Sequence, residues 1–403
     1  MRHIKETPQN PKVFFLNQMA GPLFRELAED ISENWPSGIL LTGHPDTIKL
    51  PEGEFMKIVP APMYKRDSFR TRLLSWIQYW IKSFIMYLKL DKNVFVFLVP
   101  MPPFLDFLAY LFYKIRKQKY AVLVYDIYPD TLVNFGPLKE TGFITKIWRK
   151  INRHSWQNAQ VVFTIGNQMA ANLEKMFDAG KTPAGKVVVV PNWADVDTIK
   201  PLPKENNTFA RKHDQVGKTT VMYSGNLGLT HDIETIVESA KAMKNVDSVN
   251  FMIIGDGAKR KMIDQVRTKE DLHNMVVLDF QPEQDLPFTL TTSDISIITL
   301  DNGSEGLSVP SKTYYYMASG AALIGLCDEK SEVARTIKDH DCGIIMSPGD
   351  TEAMVNIILE LSRDKEKLNY YKNNSRIAAE KFYSRNNTRQ YIQALTPWIA
   401  GLI

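Results

Sequence analysis

Residues 304–320 read SEGLSVPSKTYYYMASG, and the segments on either side of them decide the fold. Upstream, Ile295 to Leu300 (ISIITL) is a short β-branched run that predicts a buried strand. A polar turn, Asp301-Asn302-Gly303-Ser304, follows. Pro310 suits the first turn of a helix, where its missing N–H is no loss, with Ser308 as N-cap. That helix is expected to reach Ser319 and to end at Gly320 in a left-handed conformation. Ala321 to Leu326 (AALIGL) reads as the next buried strand.

Strand, polar loop and helix start together make an anion site. Backbone N–H groups from Leu307 to Lys312 are expected to point out of the helix start, backed by its dipole. Gly306, Leu307, Ser308, Val309, Ser311 and Thr313 are the candidate donor-binding positions here, and the Lys312 ammonium is placed to reach a phosphate. Glu305 repels phosphate and is better suited to accept hydrogen bonds from hydroxyls, as on a sugar. A phosphate beside such a carboxylate suggests a sugar nucleotide. An ordinary βαβ turn with a solvated Glu and Lys is the other reading of the same residues.

The stretch resembles the signature of retaining GT-B glycosyltransferases of family four: a Glu, a Gly-rich loop, Pro, then a helix ending in Met-Ala-x-Gly. It is most similar to the subgroup of bacterial capsule and exopolysaccharide enzymes. Glu305, Gly306, Pro310, Lys312, Met317, Ala318 and Gly320 match. The wider family has a second Glu eight positions after the first, which grips the nucleotide ribose. That spacing lands on Thr313 here, and counting back from Met-Ala-Ser-Gly lands on Tyr315. Neither is acidic, which leaves the nucleotide open, although a UDP-sugar is the expected donor.

At 403 residues two domains are the default. A composition of 44% hydrophobic and 23% charged residues is that of a soluble globular chain. The two cysteines, Cys327 and Cys342, offer neither a disulfide framework nor a metal spacing, which fits a reducing, cytoplasmic setting. Met1 to Lys12 is polar, and no signal peptide is expected. Charge is uneven: residues 1–195 hold 25 Lys and Arg against 17 Asp and Glu, and the remainder 24 against 28. A basic first half suggests an anionic partner, either membrane lipid or a phosphorylated substrate. No nucleic-acid partner is expected.

The first half alternates strand and helix. Strands are expected at Lys12–Leu16, Gly38–Thr42, Phe55–Val59, Val94–Val99, Ala121–Tyr125, Val161–Ile165 and Val187–Val190. Arg70 to Leu90 (RTRLLSWIQYWIKSFIMYLKL) predicts a basic, aromatic amphipathic helix. Such a helix either lies in the interface of an anionic inner leaflet or faces a core. Asp126 follows the strand Ala121–Tyr125, and open parallel sheets bind ligands beyond the carboxyl ends of their strands. Asp126 reads equally as a loop residue or helix cap. In the resembled enzymes a polar residue here lies at the sugar and acceptor, so the resemblance carries a catalytic role to Asp126. Pro191-Asn192-Trp193-Ala194-Asp195 matches that family's inter-domain turn.

Asp195 to Asn207 is rich in Pro, Lys and Asn and is expected to link the domains. Its Asp195-Val196-Asp197 lacks the context of a metal site, so no metal is expected. The strand Thr219–Tyr223 leads into Ser224-Gly225-Asn226-Leu227-Gly228, and Asn250–Ile254 into Gly255-Asp256-Gly257. Glycines after a strand let backbone approach a phosphate, which makes Gly225, Asn226 and Gly255 donor-site candidates. Many members of the resembled family carry cations in the first of these turns, where Asn226 and His231 stand here.

The fold class expected from the alternation is α/β, two doubly wound Rossmann-like domains, and the resemblance implies the GT-B architecture, with the two facing across a cleft. Residues 1–195 form an acceptor domain carrying helix 70–90, 196–207 a linker and 208–382 the donor domain. The resemblance implies that residues 383–403 form a helix returning to the first domain. The resemblance implies retaining, metal-independent transfer of a hexosyl or N-acetylhexosaminyl group to a glycan or polyprenyl-diphosphate-linked acceptor at the inner face of the membrane. Asp126, Glu305 and Lys312 are the expected catalytic residues, and no cofactor is needed. A nucleotide-sugar 2-epimerase of the same fold and a non-catalytic, membrane-associated subunit are the alternatives.

Overall fold

The computed structural model describes residues 12–65, 68–178, 180, 182–229, 231–300 and 306–402. It divides into two compact units. One comprises residues 1–191 and 385–403, the other 192–384.

The first unit is built on a seven-stranded sheet. Its strands are β1 (Val13–Leu16), β2 (Gly38–Thr42), β3 (Met56–Pro60), β4 (Phe95–Leu98), β5 (Tyr120–Val124), β6 (Val161–Thr164) and β7 (Val187–Val189). Their order is β3-β2-β1-β4-β5-β6-β7, and every pair is parallel. β1, β2, β4, β5 and β6 are buried along their whole length. That is why they read in sequence as unbroken apolar runs rather than alternations.

The second unit has six strands: β8 (Thr219–Ser224), β9 (Val249–Ile254), β10 (Met275–Leu278), β11 (Ile295–Thr299), β12 (Ala322–Leu326) and β13 (Gly343–Met346). All pairs are parallel, in the order β10-β9-β8-β11-β12-β13. Each unit therefore repeats the doubly wound Rossmann order, with the chain reversing direction across the sheet between β1 and β4 and between β8 and β11.

The chain leaves the first unit after Pro191 and returns at Arg385. Arg385 Nη2 donates to Asp30 Oδ1 at 2.6 Å. The tail helix Thr388–Ile399 inserts Tyr391 between Phe97 of β4 and Phe163 of β6, at ring-centroid distances of 6.2 and 4.6 Å. In the second unit Arg376 donates to the carbonyls of Val196, Ile199 and Ala318. It thus ties the connecting segment to the helix Lys312–Ala318.

Candidate functional site

In an open parallel sheet the crevice forms where neighbouring strands send their connections to opposite sides. In the second unit that place lies beyond the carboxyl ends of β8 and β11. Two segments meet there, Gly225–Gly228 after β8 and residues 306–312 at the start of the helix that follows β11.

Lys312 is the first residue of its helix. Its Nζ lies 4.0 Å from the centroid of the Tyr223 ring, and a methyl group placed on Gly225 would sit 3.1 Å from it. The ammonium is buried and has no hydrogen-bond partner among the described residues. Loss of solvent lowers its pKa from the usual lysine range to about 7. An aromatic face compensates only part of that cost. A buried cation with no anion beside it is unfavourable until one arrives.

The neighbouring side chains add little net charge. His231 is pushed down to about 4, first by burial and then by the charges of Lys312 and Lys259. It therefore stays neutral at physiological pH. Lys259 itself is engaged, its Nζ donating to His231 O at 2.6 Å and to Glu234 Oε2 at 2.7 Å.

Three contacts fix the geometry. The Tyr316 hydroxyl, one turn beyond Lys312, accepts from Ser224 N at 2.8 Å and donates to Ser224 O at 2.9 Å. The Tyr223 hydroxyl donates to Asn226 O at 2.8 Å, so its ring is held under the ammonium. Gly225 N donates to Ile254 O at 2.9 Å, which docks the β8 loop on the β9 loop. Gly225 has φ +148° and Gly255 φ +145°, and a Cβ on Gly255 would lie 1.9 Å from Gly225 O. Gly255 thus shapes the Gly225 turn by close backbone approach.

The loop after β11 departs from expectation. The helix starts at Lys312, not at Pro310, and spans seven residues. Ser311, not Ser308, occupies the N-cap position, and it makes no side-chain cap bond. Pro310 lies outside the helix because its carbonyl accepts from Thr313 N at 3.2 Å and Thr313 Oγ1 at 2.9 Å, a tighter opening turn. Thr313 is fully buried with its hydroxyl so occupied, and its amide is used as well. Its hydroxyl is thus turned onto the loop's own backbone. With so short a helix, positive charge at this place comes chiefly from Lys312. Gly306 has φ +71°, Val309 is buried, Leu307 and Ser308 are half-buried, and Ser311 is exposed. Glu305 and the turn 301–304 lie outside the described residues.

The second unit therefore gathers Lys312, Gly225 and Gly255, while Asn226 is exposed at the loop's edge. Asp126 belongs to the first unit, just beyond the carboxyl end of β5, half-buried. Burial raises its carboxyl to about 6. Tyr223 and Tyr316 were not singled out from the sequence. The four-residue spacing from Lys312 to Tyr316 is the signal that put both on one helix face.

Asp195-Val196-Asp197 forms a local turn: Asp195 Oδ1 accepts from the amides of Asp197 and Thr198, and Oδ2 from the Thr198 hydroxyl. Among the described residues no group of three or more His, Cys, Asp or Glu is arranged to hold a metal ion. A cavity of about 790 Å³, lined by Tyr113, Lys186 and Trp398, opens on the first unit near the amino ends of β6 and β7. It lies at the opposite end of that sheet from Asp126.

Residues 205–378 match the family described as Glycosyl transferases group 1. Over 243 residues the chain is 27% identical to the probable glycosyltransferase WbjE of Pseudomonas aeruginosa, covering 60% of each. Over 247 residues it is 22% identical to the putative colanic acid biosynthesis glycosyl transferase WcaI of Escherichia coli K12, again 60% of each. The chain thus spans about 60% of the length of the curated relatives it matches. The solved structure of Anabaena HepE in complex with UDP and glucose is similar in fold, with a TM-score of 0.72 at 14% identity over 96% of this chain and 100% of that one. Residues 205–378 are accordingly similar to glycosyl transferases group 1, and the two parallel-sheet units are of the GT-B fold class.

Proposed function

We infer that the chain is a retaining glycosyltransferase using a nucleotide sugar, specifically a UDP-sugar. Lys312 carries this reading: a buried ammonium with no hydrogen-bond partner among the described residues, beside a backbone turn, at the crevice where doubly wound sheets take ligands. A diphosphate supplies an anion to that position. HepE, similar in fold, was solved with UDP and glucose, which supports UDP as the donor's nucleotide.

When the bond from sugar to diphosphate breaks, charge builds on the departing phosphate. Lys312 and the Gly225 turn stabilise it, and a charge-assisted hydrogen bond contributes roughly 1.5–3 kcal/mol. Loss of the Lys312 ammonium is then worth about one to two powers of ten in rate. The sugar passes through an oxocarbenium-like state. The acceptor attacks from the face the phosphate leaves, and the phosphate takes its proton. Glu305 holds sugar hydroxyls, and Asp126 orients sugar or acceptor. Lys312 supplies the positive charge, so the transfer proceeds without a metal. The similarity to WbjE and WcaI, the latter named for colanic acid biosynthesis, supports a surface-polysaccharide product built on a glycan or lipid-linked acceptor.

Donor turnover measured as UDP release, with Lys312→Ala and Glu305→Ala compared with the native chain, tests this. Each change is expected to reduce turnover at least about tenfold, and EDTA is expected to leave it unchanged. Turnover indifferent to both substitutions contradicts the assignment.

A further inference from the structure

Helix Phe69–Lys89 is turned inside out. Its inward seam is Ser75, Tyr79, Ser83 and Tyr87, spaced four apart and all buried. The Tyr79 hydroxyl donates to Leu41 O at 2.8 Å, and Arg116 Nη2 donates to Tyr87 O at 2.6 Å. Its outward arc is hydrocarbon. Leu74, Ile77, Ile81, Phe84, Ile85 and Leu88 are exposed, Leu74 and Leu88 by 58% and 59%. At 3.6 residues per turn they share an arc of roughly 120°. The face continues onto helix Leu105–Arg116, where the Phe112 ring packs 5.9 Å from Phe84 and 4.6 Å from Tyr87. Three residues further on, Ile115 is 77% exposed.

A helix facing water normally carries charge on that side, and a continuous exposed apolar stripe marks an interaction surface. The rim says what kind. Arg70, Lys89, Lys92, Lys114 and Lys117 are exposed around it. Residues 65–117 contain ten Lys and Arg against three Asp, of which Asp106 is buried. A second copy docked face to face would bring two such rims together, which like charges oppose. A bilayer with anionic headgroups offers apolar depth for the arc and negative charge for the rim. Among the described residues no helix is long and apolar enough to cross a membrane, so the helix lies in the interface plane.

We propose that helix Phe69–Lys89, with the end of helix Leu105–Arg116, is an in-plane docking face for an anionic lipid bilayer. Flotation of the full chain with phosphatidylglycerol–phosphatidylethanolamine vesicles, and with phosphatidylcholine vesicles, tests it. Binding to the first and little to the second is expected, weakening as salt rises. Ile81→Asp with Ile85→Asp abolishes it, and Lys89→Glu with Lys92→Glu lowers it roughly tenfold or more, while all variants keep UDP affinity. The second pair sits on exposed side chains and keeps the test sound if the first unfolds. Absence of binding at low salt, or binding that neither pair alters, overturns the proposal. So does concentration-dependent dimerisation that Ile81→Asp with Ile85→Asp abolishes, because the face then belongs to a second copy.

Discussion

The Tyr316 hydroxyl closes a two-way hydrogen bond on Ser224, accepting from its amide at 2.8 Å and donating to its carbonyl at 2.9 Å. One side chain thereby satisfies both backbone groups at the point where β8 gives way to the Gly225 turn. Because Tyr316 follows Lys312 by one helical turn, the same contact sets where the ammonium sits.

Tyr316→Phe removes both bonds and leaves two partly buried backbone groups unsatisfied. A loss of about 1–3 kcal/mol in unfolding free energy is expected, together with weaker UDP binding. Urea unfolding and a UDP titration on the same variant check the two effects. Full stability would show that water replaces the hydroxyl.

Gly255→Ala tests the interlock of the two glycine turns. The added methyl would lie 1.9 Å from Gly225 O, in a backbone region that L side chains rarely adopt. The turn must shift, with a stability cost of about 1–3 kcal/mol and a fall in UDP affinity. Gly349→Ala, also at positive φ but with no atom near its Cβ, is the control. It shares the backbone strain but is expected to leave UDP affinity unchanged.

The strands were legible because each buried parallel strand is written as a short apolar run between polar turns, as in GILLT at 38–42 and ISIITL at 295–300. Contacts between distant residues were not. The Tyr314-Tyr315-Tyr316 run reads as helix, but nothing local says that the third tyrosine reaches Ser224, 92 residues away. The helix start was misplaced because Pro310 is compatible with a first helical turn, and only the Thr313 bonds to its carbonyl reveal the tighter opening. Helix 70–90 was legible as amphipathic, yet hydrophobicity alone would turn Leu and Ile inward. The seam packs inside with three of its hydroxyls on backbone carbonyls, Ser75 on Arg72, Tyr79 on Leu41 and Ser83 on Tyr79, while the Tyr87 ring stacks on Phe112.

Asp126 gives a pH prediction. Its carboxyl titrates near 6 in the folded chain against the ordinary 3.8, so the folded state holds a proton the unfolded state has released between those values. Stability from this group therefore falls as pH rises from about 4 to 6, and Asp126→Asn removes that slope. If the ionised carboxylate orients sugar or acceptor, kcat/KM declines below about pH 6 in the native chain, and Asp126→Asn loses that limb. A kcat/KM profile unchanged by the substitution would remove Asp126 from the mechanism.

Lys312 titrates in the opposite sense. Its folded pKa of about 7 lies below the ordinary 10.5, so the unfolded state binds more protons between them. Stability of the free protein rises with pH across that window, and Lys312→Met, which removes the buried charge, raises stability at pH 7. A bound diphosphate favours the charged form. UDP is fully ionised above pH 7, its last phosphate pKa being about 6, so any proton gained on binding there goes to the protein. Calorimetric titration of UDP at pH 8, in buffers of different ionisation enthalpy, measures that proton. The account predicts uptake of nearly one proton per UDP bound, lost together with most of the affinity in Lys312→Met. Tight UDP binding by Lys312→Met with an unaltered proton count would contradict it.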